Sequence, residues 1–190
     1  MISSNAPTSL KIVFAGPMGA GKTTAIRSIC GSDMLSTEVP ISGETVGDKV
    51  STTVGLDYGE CSLPDGPTLK LFGTPGQARF SFMWPVQGEG VFGLIVLVDN
   101  SQPNAIDEVE HHLAAFASHI GPRRTVVGVG RMDGHPQPDI DAYCAQLTAR
   151  GFDVPVIDAD VRREADVRLL LSVLFSMAEV EHAASTPGPA

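Results

Sequence analysis

Gly16 and Gly21 flank four residues and are followed directly by Lys22 and Thr23, giving Gly16-Pro17-Met18-Gly19-Ala20-Gly21-Lys22-Thr23. This is the pattern of a phosphate-binding loop, whose glycines let backbone N–H groups turn inward around a phosphate chain. The end of the helix that follows adds its partial positive charge. In such a loop Gly16, Met18, Gly19, Ala20, Gly21 and Thr24 would surround the phosphates, Lys22 would reach the outer ones, and Thr23 would place its hydroxyl on Mg²⁺. The competing reading is a glycine-rich turn that binds nothing. Context decides against it, because an apolar strand at Leu10–Ala15 precedes the loop and a helix to about Ser28 follows.

A loop of this kind works only when an α/β framework holds it, and 190 residues suffice for one such domain. Apolar runs alternate with helical stretches, as in a mainly parallel sheet covered on both faces. Val54–Cys61 and Thr68–Phe72 read as strands joined through Leu63-Pro64-Asp65-Gly66-Pro67, a tight-turn signal that makes the pair antiparallel. Val91–Val98 is a Val/Ile/Leu run suited to a strand buried on both faces. Helices are expected at 105–120, 138–149 and 164–180, and short strands at 125–129 and 154–157. Ser32–Thr52, polar and rich in Gly and Pro, reads as a long functional loop. Residues 1–9 form a flexible N-terminal arm, 10–181 the domain, and 182–190 a disordered tail in this reading.

Composition narrows the chemistry. A formal charge of −9 argues against nucleic acid as a partner, which would need a basic stripe. Cys30, Cys61 and Cys144 lie far apart, which gives no zinc or disulfide pattern and suits a reducing, cytoplasmic setting. No apolar run approaches the length of an integral membrane segment.

Gly73-Thr74-Pro75-Gly76-Gln77 ends the third strand of this reading, and Ala78-Arg79-Phe80 follows it. These residues resemble the switch II entrance of Ras-like small GTPases. Leu71–Gln77 followed by Phe82-Met83-Trp84 is similar, more closely, to the bacterial conservon-type small GTPases, relatives of the MglA polarity GTPases. The likeness spans Leu10–Val180. It implies a P-loop NTPase of the Ras-like G-domain fold, with a mostly parallel six-stranded sheet, one antiparallel edge strand and helices on both faces. It implies a switch that binds GTP and GDP with Mg²⁺ and hydrolyses GTP slowly, stimulated by a partner. Gly76 N–H would sense the γ-phosphate, and Gln77 would orient the attacking water, with Arg79 the next candidate. Thr53, followed by a glycine two residues on, would join Thr23 on the metal in the triphosphate state; Thr52 is the close alternative. Protein regulators and effectors are implied, typically Roadblock-type and sensor-kinase-like proteins, reading the conformations of residues 36–53 and 74–88.

Two positions depart from the Ras pattern. Gly73 stands where most P-loop NTPases carry a strand-end Asp that holds magnesium through water, so the metal would rest on Thr23, the phosphates and water. Gly130-Arg131-Met132-Asp133 stands where Asn-Lys-x-Asp reads guanine. Asp133 can accept from the ring N–H and exocyclic amine of guanine, and Arg131 can stack over the base. Ala159 would offer a backbone N–H to the base oxygen. Asp99, with Asn100 and Ser101, reads as a turn or helix cap. His111, His112 and His119 read as a solvated helix face. Phe80, Phe82, Met83 and Trp84 are divided between core and a partner surface. Two rival functions share the phosphate loop. A small-molecule P-loop kinase would need an Arg-rich lid that the sequence lacks, and a pseudo-GTPase adaptor is made credible by Gly73 and Gly130.

Overall fold

The computed structural model describes residues 9–31, 34–42, 51–62, 67–76 and 90–185. Seven strands form one sheet in the order β2-β3-β4-β1-β5-β6-β7. In chain order they are β1 (Ser9–Ala15), β2 (Met34–Ser42), β3 (Ser51–Ser62), β4 (Thr68–Gly73), β5 (Gly93–Asp99), β6 (Thr125–Gly130) and β7 (Val156–Asp158). The helices are α1 (Lys22–Cys30), α2 (Ala105–Phe116), α3 (Ile140–Ala149) and α4 (Glu164–Ser185). α4 reaches past the boundary at which a tail was expected. The glycine loop, residues 16–21, joins β1 to α1.

β4, β1, β5, β6 and β7 pair in parallel, and β3 runs antiparallel to both β4 and β2. The expected antiparallel strand is therefore present. Its outer edge is covered by β2, which lies where a long loop was expected. Leu35, Thr37, Val39 and Ile41 alternate with more polar residues, the two-residue period of a strand. Pro40 obscures that signal, yet a proline is tolerated on an edge strand. Thr53 falls within β3, opposite Pro40. Leu63–Gly66, Gln77, Arg79 and the aromatic run Phe80–Trp84 lie outside the described residues.

Strand alternation splits the core into two layers. Val13, Ala15, Val96 and Val98 face α2 and α3, whereas Ile12, Phe14, Ile95 and Leu97 face α1 and α4. β5 is buried along its whole length, as its apolar run requires. The parallel strands end together at the edge from which the glycine loop and the loops after β4, β5, β6 and β7 emerge. In doubly wound sheets that edge is where ligands bind.

Candidate functional site

Gly16 leaves β1 with φ 140°, and a Cβ there would lie 2.1 Å from Leu97 O. Only glycine permits this approach of loop to sheet. Gly21 caps α1 in the left-handed region at φ 92°, with no side-chain cap and no acidic residue in the first turn. The N-terminal amides of α1 are thus left to an outside acceptor, an arrangement suited to an anion. Met18 is 75% exposed on the rim of the loop, and Ala20 is buried beneath it.

Lys22 is buried and donates from Nζ to Gly16 O and Pro17 O, both at 2.7 Å. Burial lowers its ammonium pKa to about 8 against the opposing pull of Asp57. A desolvated cation held in this way gains most from a multiply charged anion. Gly76 abuts the loop: a Cβ there would fall 2.6 Å from Met18 N and 2.7 Å from Lys22 Nζ. Thr23 donates its hydroxyl hydrogen to Asp57 Oδ2, from mid-β3. Thr74 is buried, and its Oγ1 has no hydrogen-bond partner among the described residues. Lys22, Thr23, Thr24, Asp57, Thr74 and Gly76 line one hollow of about 330 Å³.

That hollow shares Gly19, Gly21 and Thr24 with a larger cleft of about 720 Å³. The far wall of the cleft is built by the loops after β6 and β7, including Gly130, Arg131, Asp133, Asp158 and Ala159. Arg131 takes φ 64°, and its Nε sits 3.0 Å from Asp99 Oδ2. Asp99 Oδ1 meanwhile accepts from Ser101 N at 2.9 Å and Ser101 Oγ at 2.6 Å, so the expected turn exists and also pins Arg131. The Asp133 side chain is 88% exposed, 3.7 Å from Arg163 Nη2. Asp158 has its pKa raised by burial and then by the nearby Asp133. At Gly130 a Cβ would meet nothing nearer than Val98 O at 3.5 Å, so the missing side chain is not excluded by space.

Two readings need correction. Ala159 lines the cleft, but its N–H donates to Val129 O at 2.9 Å in continuation of the β6–β7 ladder, so it is not free for a base oxygen. The Asp160 amide is likewise taken, by Asp166 Oδ2 at 2.9 Å. The α2 histidines do not form one solvated face. His112 is buried, Nδ1 lies 2.8 Å from Glu108 O, and burial pushes its pKa down to about 4. Among the described residues no three His, Cys, Asp or Glu side chains cluster in a way that could hold a metal.

Sequence reasoning gave Asn100 only a turn or cap role and missed its long-range bonds. It is buried, donates to His135 O at 2.6 Å and Pro138 O at 3.0 Å, and accepts from Tyr143 OH at 2.7 Å. The loop that carries Arg131 and Asp133 is thereby tied to the end of β5 and to α3. Burial, with Asp99 nearby, pushes the Tyr143 phenol up to about 12.

Comparison with solved structures matches this architecture, at a TM-score of 0.64, to the G domain of the T. maritima FeoB iron transporter. The match has 16% identity and covers 90% of this chain and 99% of that one. The chain has the fold of a Ras-like G domain. The cytosolic domain of the same transporter in apo form gives a TM-score of 0.63 at 15% identity, over 90% of this chain and 64% of that one. In sequence, the Ras-related protein Rab-5B of Plasmodium falciparum is 26% identical over 126 residues, 64% of this chain and 55% of that protein. An uncharacterized protein of Methanocaldococcus jannaschii is 31% identical over 93 residues, 49% of this chain and 53% of that protein. The chain thus spans about half the length of these curated relatives. No family profile matches it. No helix among the described residues is long and apolar enough to cross a membrane.

Proposed function

We propose that residues 10–181 form a guanine-nucleotide switch that binds GTP and GDP with Mg²⁺ and slowly hydrolyses GTP. The observation that carries this reading is the continuous cleft, with a buried cation in a glycine loop at one end and an exposed carboxylate at the other. Phosphates would lie against the loop amides and the α1 N-terminus, drawing Lys22 Nζ from Gly16 O and Pro17 O toward their charge. At the other end Asp133 would accept from the two N–H groups that guanine presents and adenine lacks. Arg131, oriented by Asp99, would cover the base face.

The donors near the phosphate end are hydroxyl and carboxylate oxygens, the hard ligands that Mg²⁺ takes. Thr23 would hold the ion, and Thr53 would join it in the triphosphate state. Mg²⁺ there would neutralise charge that develops on the phosphate oxygens. Gly76 N–H would sense the γ-phosphate, and Gln77, which follows it in sequence, would orient the attacking water. Hydrolysis would release Gly76 and the segment beyond it, the change that protein partners would read. The motif likeness favours a conservon-type relative of the MglA GTPases, with Roadblock-type and sensor-kinase-like partners.

The deciding experiment is competition of GTP, ATP and XTP for the purified chain, with chromatography of added GTP over time. GTP should win, and GDP should accumulate slowly. Equal affinity for ATP would refute the base assignment, and unchanged GTP, alone and with candidate partners, would leave a nucleotide-binding adaptor.

A further inference from the structure

The β3–β4 ladder sets Asp57 directly opposite Gly73. A Cβ on Gly73 would lie 3.0 Å from Asp57 Cβ and 3.3 Å from Asp57 Oδ2. The volume that a side chain at the end of β4 would enter is therefore filled from the neighbouring strand, by a carboxylate. Asp57 Oδ2 accepts the hydroxyl hydrogen of Thr23, which leaves the Thr23 oxygen lone pairs available to a cation. The same carboxylate opposes the burial effect on Lys22. A second observation is independent of Asp57: Thr74 is 3% exposed, its Oγ1 lacks a partner among the described residues, and it lines the same hollow. A buried hydroxyl in this position calls for a ligand or a bound water.

We infer that Asp57 is the carboxylate anchor of a divalent-cation site, moved from the end of β4 to the adjacent antiparallel strand, with Thr74 hydrogen-bonding a water on the ion. Gly73 is then the space-giving partner of Asp57 and not the mark of a lost site. A carboxylate at both positions would crowd two like charges against each other. Asp57 acts in two ways, by orienting the Thr23 hydroxyl and by accepting from metal-bound water. Such supporting groups set affinity for an ion that keeps several waters. The inference deepens the proposed function and rests on phosphates occupying the glycine loop.

The test uses the full chain and two readouts. Dissociation of a fluorescent GDP is timed in excess Mg²⁺ and in excess chelator, and Mn²⁺ binding is followed by electron paramagnetic resonance with GDP and, separately, with inorganic pyrophosphate. Asp57→Asn should weaken Mn²⁺ binding by about 10–100-fold and bring the two GDP dissociation rates together. Gly73→Asp alone should bind the ion no better than the wild type. The exchange variant Asp57→Gly/Gly73→Asp should recover much of the wild-type chelator effect, which a general packing defect in Asp57→Asn would not predict. Wild-type Mn²⁺ affinity in Asp57→Asn would overturn the inference, as would a folded exchange variant no better than Asp57→Gly. Mn²⁺ uptake with pyrophosphate but not with GDP would refute the guanine reading and leave the cation site standing. No Mn²⁺ uptake with either would overturn the cation site.

Discussion

Asn100→Ala removes the side chain that ties the loop after β6, which carries Arg131 and Asp133, to the rest of the domain. Four hydrogen bonds go with it, one from Tyr143 OH, two to the carbonyls of His135 and Pro138, and a weak one to the Met132 sulfur. The carbonyls lie in a solvent-accessible loop and can turn to water. The Tyr143 phenol cannot, because the residue is wholly buried. An orphaned buried hydroxyl costs about 1–3 kcal/mol, and each of the two carbonyl bonds is worth about 1 kcal/mol net. The expected loss is therefore about 3–5 kcal/mol, a large share of the roughly 5–15 kcal/mol of a typical domain. Tyr143→Phe should cost less, and the double variant should cost less than the sum, because no phenol is left unpaired. The coupling should be about 1–2 kcal/mol, within the range for residues in one network. Urea unfolding followed by circular dichroism measures it. If the network also places Asp133, Asn100→Ala should lower GDP affinity and reduce preference over ADP while pyrophosphate affinity stays unchanged. Additive stability losses would refute the network, and unchanged base preference would refute its role in positioning Asp133.

Three further residues give outcomes that can be measured. Lys22→Ala should abolish tight nucleotide binding, and wild-type GDP affinity should fall as pH rises above about 8, by up to about tenfold per unit, since the free protein then loses the proton that the phosphates favour; calorimetry in buffers of different ionisation enthalpy would detect the proton uptake, and a flat profile would contradict it. In the same window the cost of burying charged Lys22 disappears, so the empty protein should gain stability as pH rises from about 8 toward the ordinary lysine value of 10.5. Asp133→Asn should shift preference from guanine to xanthine by competition titration, because the new amide donates where the carboxylate accepted. Gln77→Leu should leave GTP affinity nearly unchanged while slowing single-turnover hydrolysis, and an unchanged rate would turn attention to Arg79.

The glycine loop between β1 and α1 was legible because its geometry is local: Gly16, Gly21, Lys22 and Thr23 are fixed in spacing by the turn they make. The strands around it were legible from apolar runs such as Val91–Val98. What sequence hid was tertiary. Asp57 sits inside a strand-like run and looks like any alternating polar residue until β3 pairs with β4 and brings it to Thr23, 34 positions away. Ala159 sits in the expected loop, but the length of a β ladder decides whether its amide is free. His112 differs from His111 only by the rotation of one helical residue, which turns it into the core. β2 was hidden by a single Pro40 in an otherwise alternating stretch.

That proline bears on how the molecule behaves at high concentration. A sheet has two outer strands, and unpaired N–H and C=O groups there invite a strand from another chain. Here one outer strand is β7, only three residues long, which offers too short a template for a stable pairing. The other is β2, nine residues long, and Pro40, third from its end, has no N–H to give. An incoming strand would lose continuity at that point whichever direction it ran. Pro40→Val would mend the row of donors, turning a protected border into a site for self-association and fibril growth.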